Sequence, residues 1–237
     1  MQKVLIVLAM FVIFIRGAVA GELRQVTAEL PPFSMSGGNT PHGAIYDVLK
    51  EAHRRLGWSF QPRFLPWTRA QAIALRDPDT EIFGVARAPE REHLYKWIAL
   101  VYTTHNAFVR LGDALPASLE TARQLSFVCV EMNSAMSDFL LQDGFTNLSA
   151  TPSDLQCAPM LMNNHVAAWF TFDSRALYLL KAAGYQGKIV IGPSIQQVGL
   201  WLAASPKFSE QRASALRRVL AQMKDDGSYD RIIDGYQ

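Results

Sequence analysis

The chain has 237 residues, of which 49% are hydrophobic and 19% charged, so it can fill a folded core and is not a disordered chain. Lysine and arginine exceed aspartate and glutamate by only two, 23 against 21, and the basic surplus typical of nucleic-acid binders is therefore missing. The same balance argues against acidic lipid headgroups as partners.

The first twenty residues have the pattern of a cleavable secretory signal. Lys3 precedes an unbroken apolar run of 12 residues, 4–15, and the small residues 18–20 follow. A permanent membrane anchor is the alternative, but a spanning helix needs about 20 apolar residues. We expect cleavage after Ala20 and a periplasmic protein without a lipid anchor, because Gly21 rather than cysteine follows. Cleavage would leave 217 residues with 21 bases and 21 acids.

Strand-like and helical segments alternate after the signal, which is typical of an α/β protein with mostly parallel strands. In the first unit, apolar residues at helical spacing over 45–56 predict a helix that ends at Gly57. A second helix is expected from Pro66 toward Arg76. The predicted strands of this unit are 26–29, 59–65 and 81–85.

A second unit with the same alternation of strands and helices follows the predicted strand 107–111 and a connector at 112–116. The connector contains Gly112 and Pro116. The remaining predicted strands are 125–130, 147–150, 166–170 and 198–203. The remaining predicted helices are 134–141, 153–163, 175–183, 209–225 and 228–234.

Cys129 and Cys157 are the two cysteines of the chain. In an oxidising compartment an even pair predicts a disulfide, and two buried free thiols are the alternative. The five histidines are scattered without a pair at i and i+4, and the cysteines have no histidine cluster beside them. We therefore expect no metal and no cofactor.

Five segments carry a resemblance to a known family. Residues 29–34 read ELPPFS, residues 43–52 GAIYDVLKEA, residues 65–70 LPWTRA, residues 84–92 GVARAPERE and residues 223–229 MKDDGSY. In this order and spacing, over residues 22–237, the chain resembles the bacterial solute-binding proteins of family 3, the polar amino-acid uptake type.

The resemblance implies a type II periplasmic-binding-protein fold, in which two α/β lobes joined by two hinge strands close on a ligand. Lobe 1 would be 22–106 with 200–237, and lobe 2 would be 113–193. The hinges would be 107–111 and 195–199.

The same resemblance assigns candidate ligand-binding residues in lobe 1. Arg91 matches the family arginine that holds a ligand carboxylate, with a solvated loop arginine as the alternative. Trp67 matches an aromatic platform, with a core tryptophan as the alternative. Phe33 either lines the cleft or only packs. Glu29, in the same segment, is a further candidate ligand-binding residue.

Arg69 and Arg87 depart from the family pattern. If they point inward with Arg91, the site carries two or three cations and suits an acidic or doubly anionic ligand. The alternative is that both lie on outer faces of the lobe.

Lobe 2 offers a turn between a strand and a helix at residues 131–135, where free backbone N–H groups can bind an anion. Asn133 and Ser134 are the candidates there. The family aspartate that holds an α-ammonium falls on Phe172, with Asp173 beside it, so an α-amino acid ligand stays in doubt.

We therefore expect a monomeric, non-enzymatic receptor that captures a small polar, carboxylate-bearing solute and delivers it to an inner-membrane ABC permease. One alternative is an enzyme of the same fold, such as cyclohexadienyl dehydratase, with Glu131 or Glu29 as general acid. A sensory binding module is the other alternative.

Overall fold

The computed structural model of the chain describes residues 23–38 and 40–236. The expected signal peptide, residues 1–20, and its cleavage point lie outside the described residues and stay predictions. In the part of the chain that is described, no helix has the length and apolar character needed to cross a membrane.

The described residues form strands and helices of α/β type. The strands are β1 Arg24–Thr27, β2 Arg63–Phe64, β3 Thr80–Ala86, β4 Lys96–Leu111, β5 Val128–Glu131, β6 Leu148–Thr151, β7 Ala168–Phe172, β8 Ile189–Ile191 and β9 Gln196–Ala204. The helices are α1 Ala44–Leu56, α2 Trp67–Arg76, α3 Leu119–Ala122, α4 Ala135–Gln142, α5 Cys157–Met162, α6 Asp173–Ala182, α7 Glu210–Asp225 and α8 Ser228–Asp234.

The strands pair in the order β2-β1-β3-β9-β4-β7-β5-β6, with β8 paired to β4. Strand β1 is parallel to β2 and β3, and strand β5 is parallel to β6 and β7. Strands β4 and β9 are antiparallel to each other and to the strands beside them. We call the unit around β1, β2 and β3 the first lobe and the unit around β5, β6 and β7 the second lobe.

The long strand β4 belongs to both lobes. Its residues 96–106 pair with β9, its residues 106–109 pair with β7, and its residues 109–111 pair with β8. Strand β9 continues from β4 to β3 of the first lobe. The lobes are therefore joined by two hydrogen-bonded strands, while the expected limits of lobes and hinges stay predictions.

Helix α1 fixes a loop next to the lobe interface. Its residues Ile45, Leu49 and Ala52 are fully buried at helical spacing. Gly43, just before the helix, has φ 135°, and a Cβ there would lie 2.5 Å from the carbonyl oxygen of Phe33. Only glycine fits this approach, which holds the segment around Phe33 against the start of α1.

The second lobe contains a disulfide in its apolar interior. Cys129 and Cys157 are bonded, with their Cα atoms 5.6 Å apart. Both are completely buried and pack with Trp169, Leu161 and Leu180. The bond therefore ties the strand β5 to the helix α5.

Two predicted elements are shorter in the structure. Only Arg63–Phe64 of the predicted strand 59–65 is paired, since the Gln25 side chain bonds the backbone at Ser59 and Gln61. The predicted helix 153–163 begins as a 3-10 turn and becomes α-helical only at Cys157.

One strand is much longer than predicted. Residues 107–111 are the end of β4, and its first eleven residues, 96–106, were not predicted as a strand, although 97–102 form an unbroken apolar run. Polar residues such as Thr103, His105 and Asn106 follow that run, and their backbone pairs with β9. Tertiary pairing, rather than side-chain alternation, determines this strand.

Candidate functional site

A cleft lies between the lobes, at the carboxyl ends of their parallel strands. Strands β1 and β3 end on one side and β5 and β7 on the other, which is where open α/β sheets bind ligands. The closed cleft encloses a cavity of about 40 Å³. Its lining residues are Thr27, Ala28, Glu29, Leu30, Trp67, Phe83, Gly84, Ala86 and Arg91 of the first lobe and Glu131, Ser134, Ala135, Met136 and Phe172 of the second.

Arg91 reaches across this cleft from the first lobe. It ends the 3-10 turn Pro89–Arg91 and is only 6% exposed. Its Nη1 donates to the Gln71 side-chain oxygen at 3.2 Å, and its Nη2 lies 2.8 Å from Asp138 Oδ2 and 3.1 Å from the Asn133 carbonyl oxygen. Because Asp138 belongs to the second lobe, the guanidinium of Arg91 is already paired with a carboxylate from across the cleft.

Further hydrogen bonds cross from one lobe to the other. Gln142 Nε2 of α4 donates to the Glu90 carboxylate at 3.1 Å. Arg175 Nη2 of α6 donates to the Glu29 carbonyl oxygen at 3.3 Å. Together with the contacts of Arg91, these bonds hold the lobes in a closed arrangement.

A buried ion pair supports the second wall of the cleft. Arg175 Nε lies 2.9 Å from Asp154 Oδ2, and both side chains are 1% exposed. Trp169 Nε1 and Thr171 Oγ1 also donate to the Asp154 carboxylate, at 2.5 Å and 2.8 Å. These two buried charges neutralise each other. Within the described residues, Arg175 Nε and Nη1 are buried without a hydrogen-bond partner.

Glu131 is the last residue of β5 and lies half-buried on the second wall. Burial raises the pKa of its carboxyl from 4.5 to about 7; the charge of Asp154 adds to this rise, and the charge of Arg175 opposes it. Within residues 23–38 and 40–236, only the backbone of Asp154 hydrogen-bonds this carboxyl. Glu131 is therefore an acid in the cleft without an ion-pair partner of its own.

Apolar side chains form much of the remaining lining. Trp67 is 9% exposed and begins α2 directly after Pro66. Phe172 and Met136 face it from the second lobe side and are also buried. An aromatic face in such a place can cover an apolar part of a solute or attract an ammonium group.

Four of the residues expected from the sequence line the cleft. Glu29 presents its carboxylate to the Ser36 backbone N–H, at 3.1 Å. The Ser134 hydroxyl caps α4, because it accepts from the Ser137 N–H at 3.1 Å and donates to the Glu131 carbonyl oxygen at 2.7 Å. The four residues are Glu29, Trp67, Arg91 and Ser134.

Three of the other five residues expected near the ligand, Asn133, Asp173 and Phe33, have different roles. Asn133 contributes its carbonyl oxygen to Arg91, while its side chain is exposed. Asp173 accepts a hydrogen bond from the neighbouring Ser174 N–H at 2.6 Å and does not belong to the lining. The expectation that Phe33 lines the cleft is wrong: it is completely buried, with its ring 4.9 Å from that of Tyr102.

Arg69 and Arg87 do not join Arg91 in the cleft. Arg69 is exposed on α2 and is not a lining residue. Arg87 forms an ion pair with Glu92, and its guanidinium lies 4.6 Å from the centre of the Trp201 ring. Arg69 and Arg87 therefore do not form a cluster of cations with Arg91.

Several residues of the site were not found from the sequence. Gln71, Asp138 and Asp154 occur in segments with no distinguishing motif, and only the fold brings them to the cleft. Arg175 did carry a weak signal, because a cation in the first turn of a helix opposes the helix dipole. Glu131 was considered only as a general acid.

Other titratable residues lie away from the cleft. His53 is completely buried in the first lobe, with Nε2 2.9 Å from Glu81 Oε2 and Nδ1 2.8 Å from the Leu49 carbonyl oxygen. Among the described residues, no group of three or more histidines, cysteines or acids is arranged to hold a metal.

The sequence profile of the bacterial extracellular solute-binding proteins, family 3, matches residues 24–237. The chain belongs to this family. No curated protein matches this chain.

Solved structures of the same fold include three proteins with different roles. A histidine kinase sensor domain similar to periplasmic binding proteins has TM-score 0.82 and 16% identity, with 90% of this chain and 95% of that chain covered. An ancestral arginine-binding protein bound to arginine has TM-score 0.79 and 21% identity, with 90% and 97% covered. The GluR0 ligand-binding core from Nostoc punctiforme in complex with (L)-glutamate has TM-score 0.78 and 16% identity, with 90% and 98% covered. These similarities confirm the expected type II periplasmic-binding-protein fold.

Proposed function

We propose that this protein is a periplasmic receptor that captures a small polar, carboxylate-bearing solute between its lobes and delivers it to an ABC permease of the inner membrane. The observation that carries the proposal is Arg91, a guanidinium that is 6% exposed and directed across the cleft onto a carboxylate. A planar guanidinium is suited to hold a carboxylate through two parallel hydrogen bonds.

Exchange of carboxylates provides a route for binding. The Asp138 side chain, which now pairs with Arg91, is 39% exposed and can turn into solvent. A ligand carboxylate that replaces it restores the ion pair of a buried cation, so that Arg91 is not left uncompensated. Closure of the lobes then follows from contacts that the ligand makes with both walls.

The solved neighbours support a ligand of amino-acid size. One of them is bound to arginine and another to glutamate, each of which carries a carboxylate. For this chain we propose an amino-acid-like or organic acid of similar size, captured by a monomer without any nucleic-acid partner.

We also propose a revised first hinge. Residues 107–111 are hydrogen-bonded to β7 and β8 of the second lobe, whereas residues 103–106 pair with residues 196–199 of β9. The bend between the lobes is therefore better assigned to 103–106, opposite the second hinge at 196–199.

A thermal-shift screen of amino acids and organic acids tests the proposed function. We expect at least one carboxylate-bearing solute to stabilise the purified protein, and we expect Arg91→Ala to abolish this stabilisation. The matched control is Arg63→Ala, which removes an exposed arginine of the same lobe. If no polar solute stabilises the wild-type protein, or if Arg91→Ala binds normally, the proposal is wrong.

A sensory role is the second candidate, and the similarity to a histidine kinase sensor domain favours it. Genes for a permease and an ATPase beside this gene would favour transport, and a lone gene would not. Uptake of the identified solute by cells with and without the gene separates the two roles directly.

An enzymatic role of the same fold rests on Glu131, whose pKa of about 7 suits a general acid. The assay is the formation of phenylpyruvate from prephenate. Turnover that disappears in Glu131→Gln would replace the receptor proposal by an enzyme of the cyclohexadienyl dehydratase type.

A further inference from the structure

A second pocket lies beside the strands that join the lobes, and we call it the hinge pocket. One wall is residues 86–90 of the first lobe, the other is helix α4 of the second lobe, and residue 106 of β4 and residues 196–199 of β9 lie between them. Its volume is about 430 Å³, whereas the closed cleft next to it encloses about 40 Å³. Small-molecule sites usually measure about 300 to 1,000 Å³, so the hinge pocket has the size of such a site.

Side-chain amides are the main hydrogen-bonding groups between the two walls. Asn106 is 1% exposed and is fixed by Gln196, because its Nδ2 donates to Gln196 Oε1 at 3.3 Å and its Oδ1 accepts from the Gln196 backbone N–H at 2.9 Å. Among the described residues, Gln196 Nε2 and the whole side-chain amide of Gln197 have no hydrogen-bond partner. These amides offer both donors and acceptors to a ligand.

The charged side chains of the walls argue against an anionic ligand. Arg87 is already paired with Glu92, with its Nε 2.7 Å from Oε2. Glu90 accepts a hydrogen bond only from the uncharged amide of Gln142 across the gap, at 3.1 Å. A hydrogen bond from its own backbone N–H, and then the bond from Gln142, lower the pKa of the Glu90 carboxyl, so this group is ionised at neutral pH and would repel an anion.

Hydroxyl groups match these walls best. An ammonium group only donates, so it would leave the amide N–H groups of Gln196 and Gln197 without an acceptor. A hydroxyl both donates and accepts, and it therefore suits the amides as well as the Glu90 carboxylate. Pro89, Phe139 and Val198 add apolar surface that can cover the C–H groups of a carbon ring or chain.

We propose that the hinge pocket is a second binding site, for a neutral polyhydroxylated molecule of monosaccharide or polyol type. This goes beyond the proposed function, since the site uses neither Arg91 nor the ion pairs of the cleft. Both lobes contribute a wall, so an occupant stabilises the closed arrangement. Ligands in the cleft and in the hinge pocket should then raise each other's affinity by the same factor.

The test is calorimetric titration of the full chain with D-glucose, D-ribose and D-sorbitol, and with D-glucuronate and D-glucosamine as an anionic and a cationic relative of D-glucose. We expect at least one neutral probe to bind one to one with a Kd below about 1 mM. Gln197→Ala should weaken this binding about fivefold, by the loss of its hydrogen bonds, and Ala88→Trp should abolish it by filling the pocket.

Two controls locate the bound molecule. Gln186→Ala removes an exposed glutamine of the second lobe away from the pocket and should leave affinity unchanged. Arg91→Ala should also keep the binding of the neutral probe, because Arg91 belongs to the cleft. The melting temperature of each variant shows whether it is folded.

The second site is overturned if no neutral probe binds the wild-type protein, if binding survives in both Gln197→Ala and Ala88→Trp, or if Arg91→Ala abolishes it. Binding of D-glucosamine or D-glucuronate about tenfold tighter than that of every neutral probe would overturn the proposed ligand class. An unchanged affinity of the cleft for its own solute, with the neutral probe at saturation, would overturn the coupling. Failure of the cleft to bind any solute concerns the proposed function alone.

Discussion

Arg91 and Asp138 face each other from opposite walls of the cleft, with Nη2 2.8 Å from Oδ2. One partner is 7% exposed and the other 39%, so the arginine is fixed and the aspartate can leave. In the proposed function, a ligand carboxylate has to displace this contact inside the protein.

We predict that Asp138→Asn increases ligand affinity about fivefold, since a partly exposed ion pair is worth up to about 1 kcal/mol. Calorimetric titration with the solute found in the screen measures the change. Asp113→Asn, an exposed acid in the connector, is the control. Weaker binding by Asp138→Asn would mean that this carboxylate supports the bound state instead of competing with the ligand.

Replacement of Trp67 should distinguish the contribution of its aromatic ring to affinity from that of its apolar contact. Trp67→Phe keeps an aromatic face and should change affinity only slightly, whereas Trp67→Leu keeps an apolar side chain and should weaken binding of an amine-bearing ligand about fivefold. Binding isotherms for the two variants provide the measurement. An equal effect of both substitutions would indicate that Trp67 contributes only apolar contact.

The disulfide should contribute strongly to stability. Cys129 and Cys157 are separated by 28 residues, and a loop of this length stabilises the folded state by about 3 to 4 kcal/mol. We expect the double variant Cys129→Ala with Cys157→Ala to lose roughly this much free energy of unfolding in urea. A reductant should destabilise the wild-type protein but not the double variant, and the same loss in both would point to a different cause.

The buried pair of His53 and Glu81 should make stability depend on pH. Burial lowers the pKa of His53, but its hydrogen bond to Glu81 and the charge of that residue raise it more, and the net shift is upward. Because the pKa of His53 is higher in the folded than in the unfolded state, its protonation stabilises the folded protein. This stabilisation is complete at pH values below the unfolded pKa of about 6.5, and it is lost as the pH rises through the folded pKa.

His53→Gln tests this relationship, because glutamine can still donate to Glu81 but does not titrate. We expect a loss of roughly 1 to 3 kcal/mol at pH 6 and a smaller dependence of unfolding on pH above that point. Urea unfolding at several pH values is the measurement. An unchanged pH dependence in the variant would exclude His53 as its source.

The sequence predicts those parts of the fold that rest on local patterns. Helix α1 could be predicted because Ile45, Leu49 and Ala52 recur at helical spacing and Gly57 ends the pattern. The first eleven residues of β4 could not, because their strand depends on pairing with β9. Local propensity says nothing about such partners.

The same limit applies to the cleft. Arg91 and Trp67 were found because they lie in segments that resemble the family, and both line the site. Asp154 and Arg175 are 21 residues apart in sequence and meet only in the folded second lobe. Phe33 was placed wrongly because the sequence does not reveal that the rings of Tyr102 and Phe172 enclose it.

The continuity of β4 has a consequence for how affinity can evolve. Because one strand serves both sheets, bending at the proposed hinge, residues 103–106, need not break the backbone hydrogen bonds of either sheet. The balance between open and shut forms then depends mainly on side chains that bridge the gap, such as Gln142 with Glu90. Under the proposed function, substitutions at such bridging positions change the affinity for the solute without altering which solute is bound.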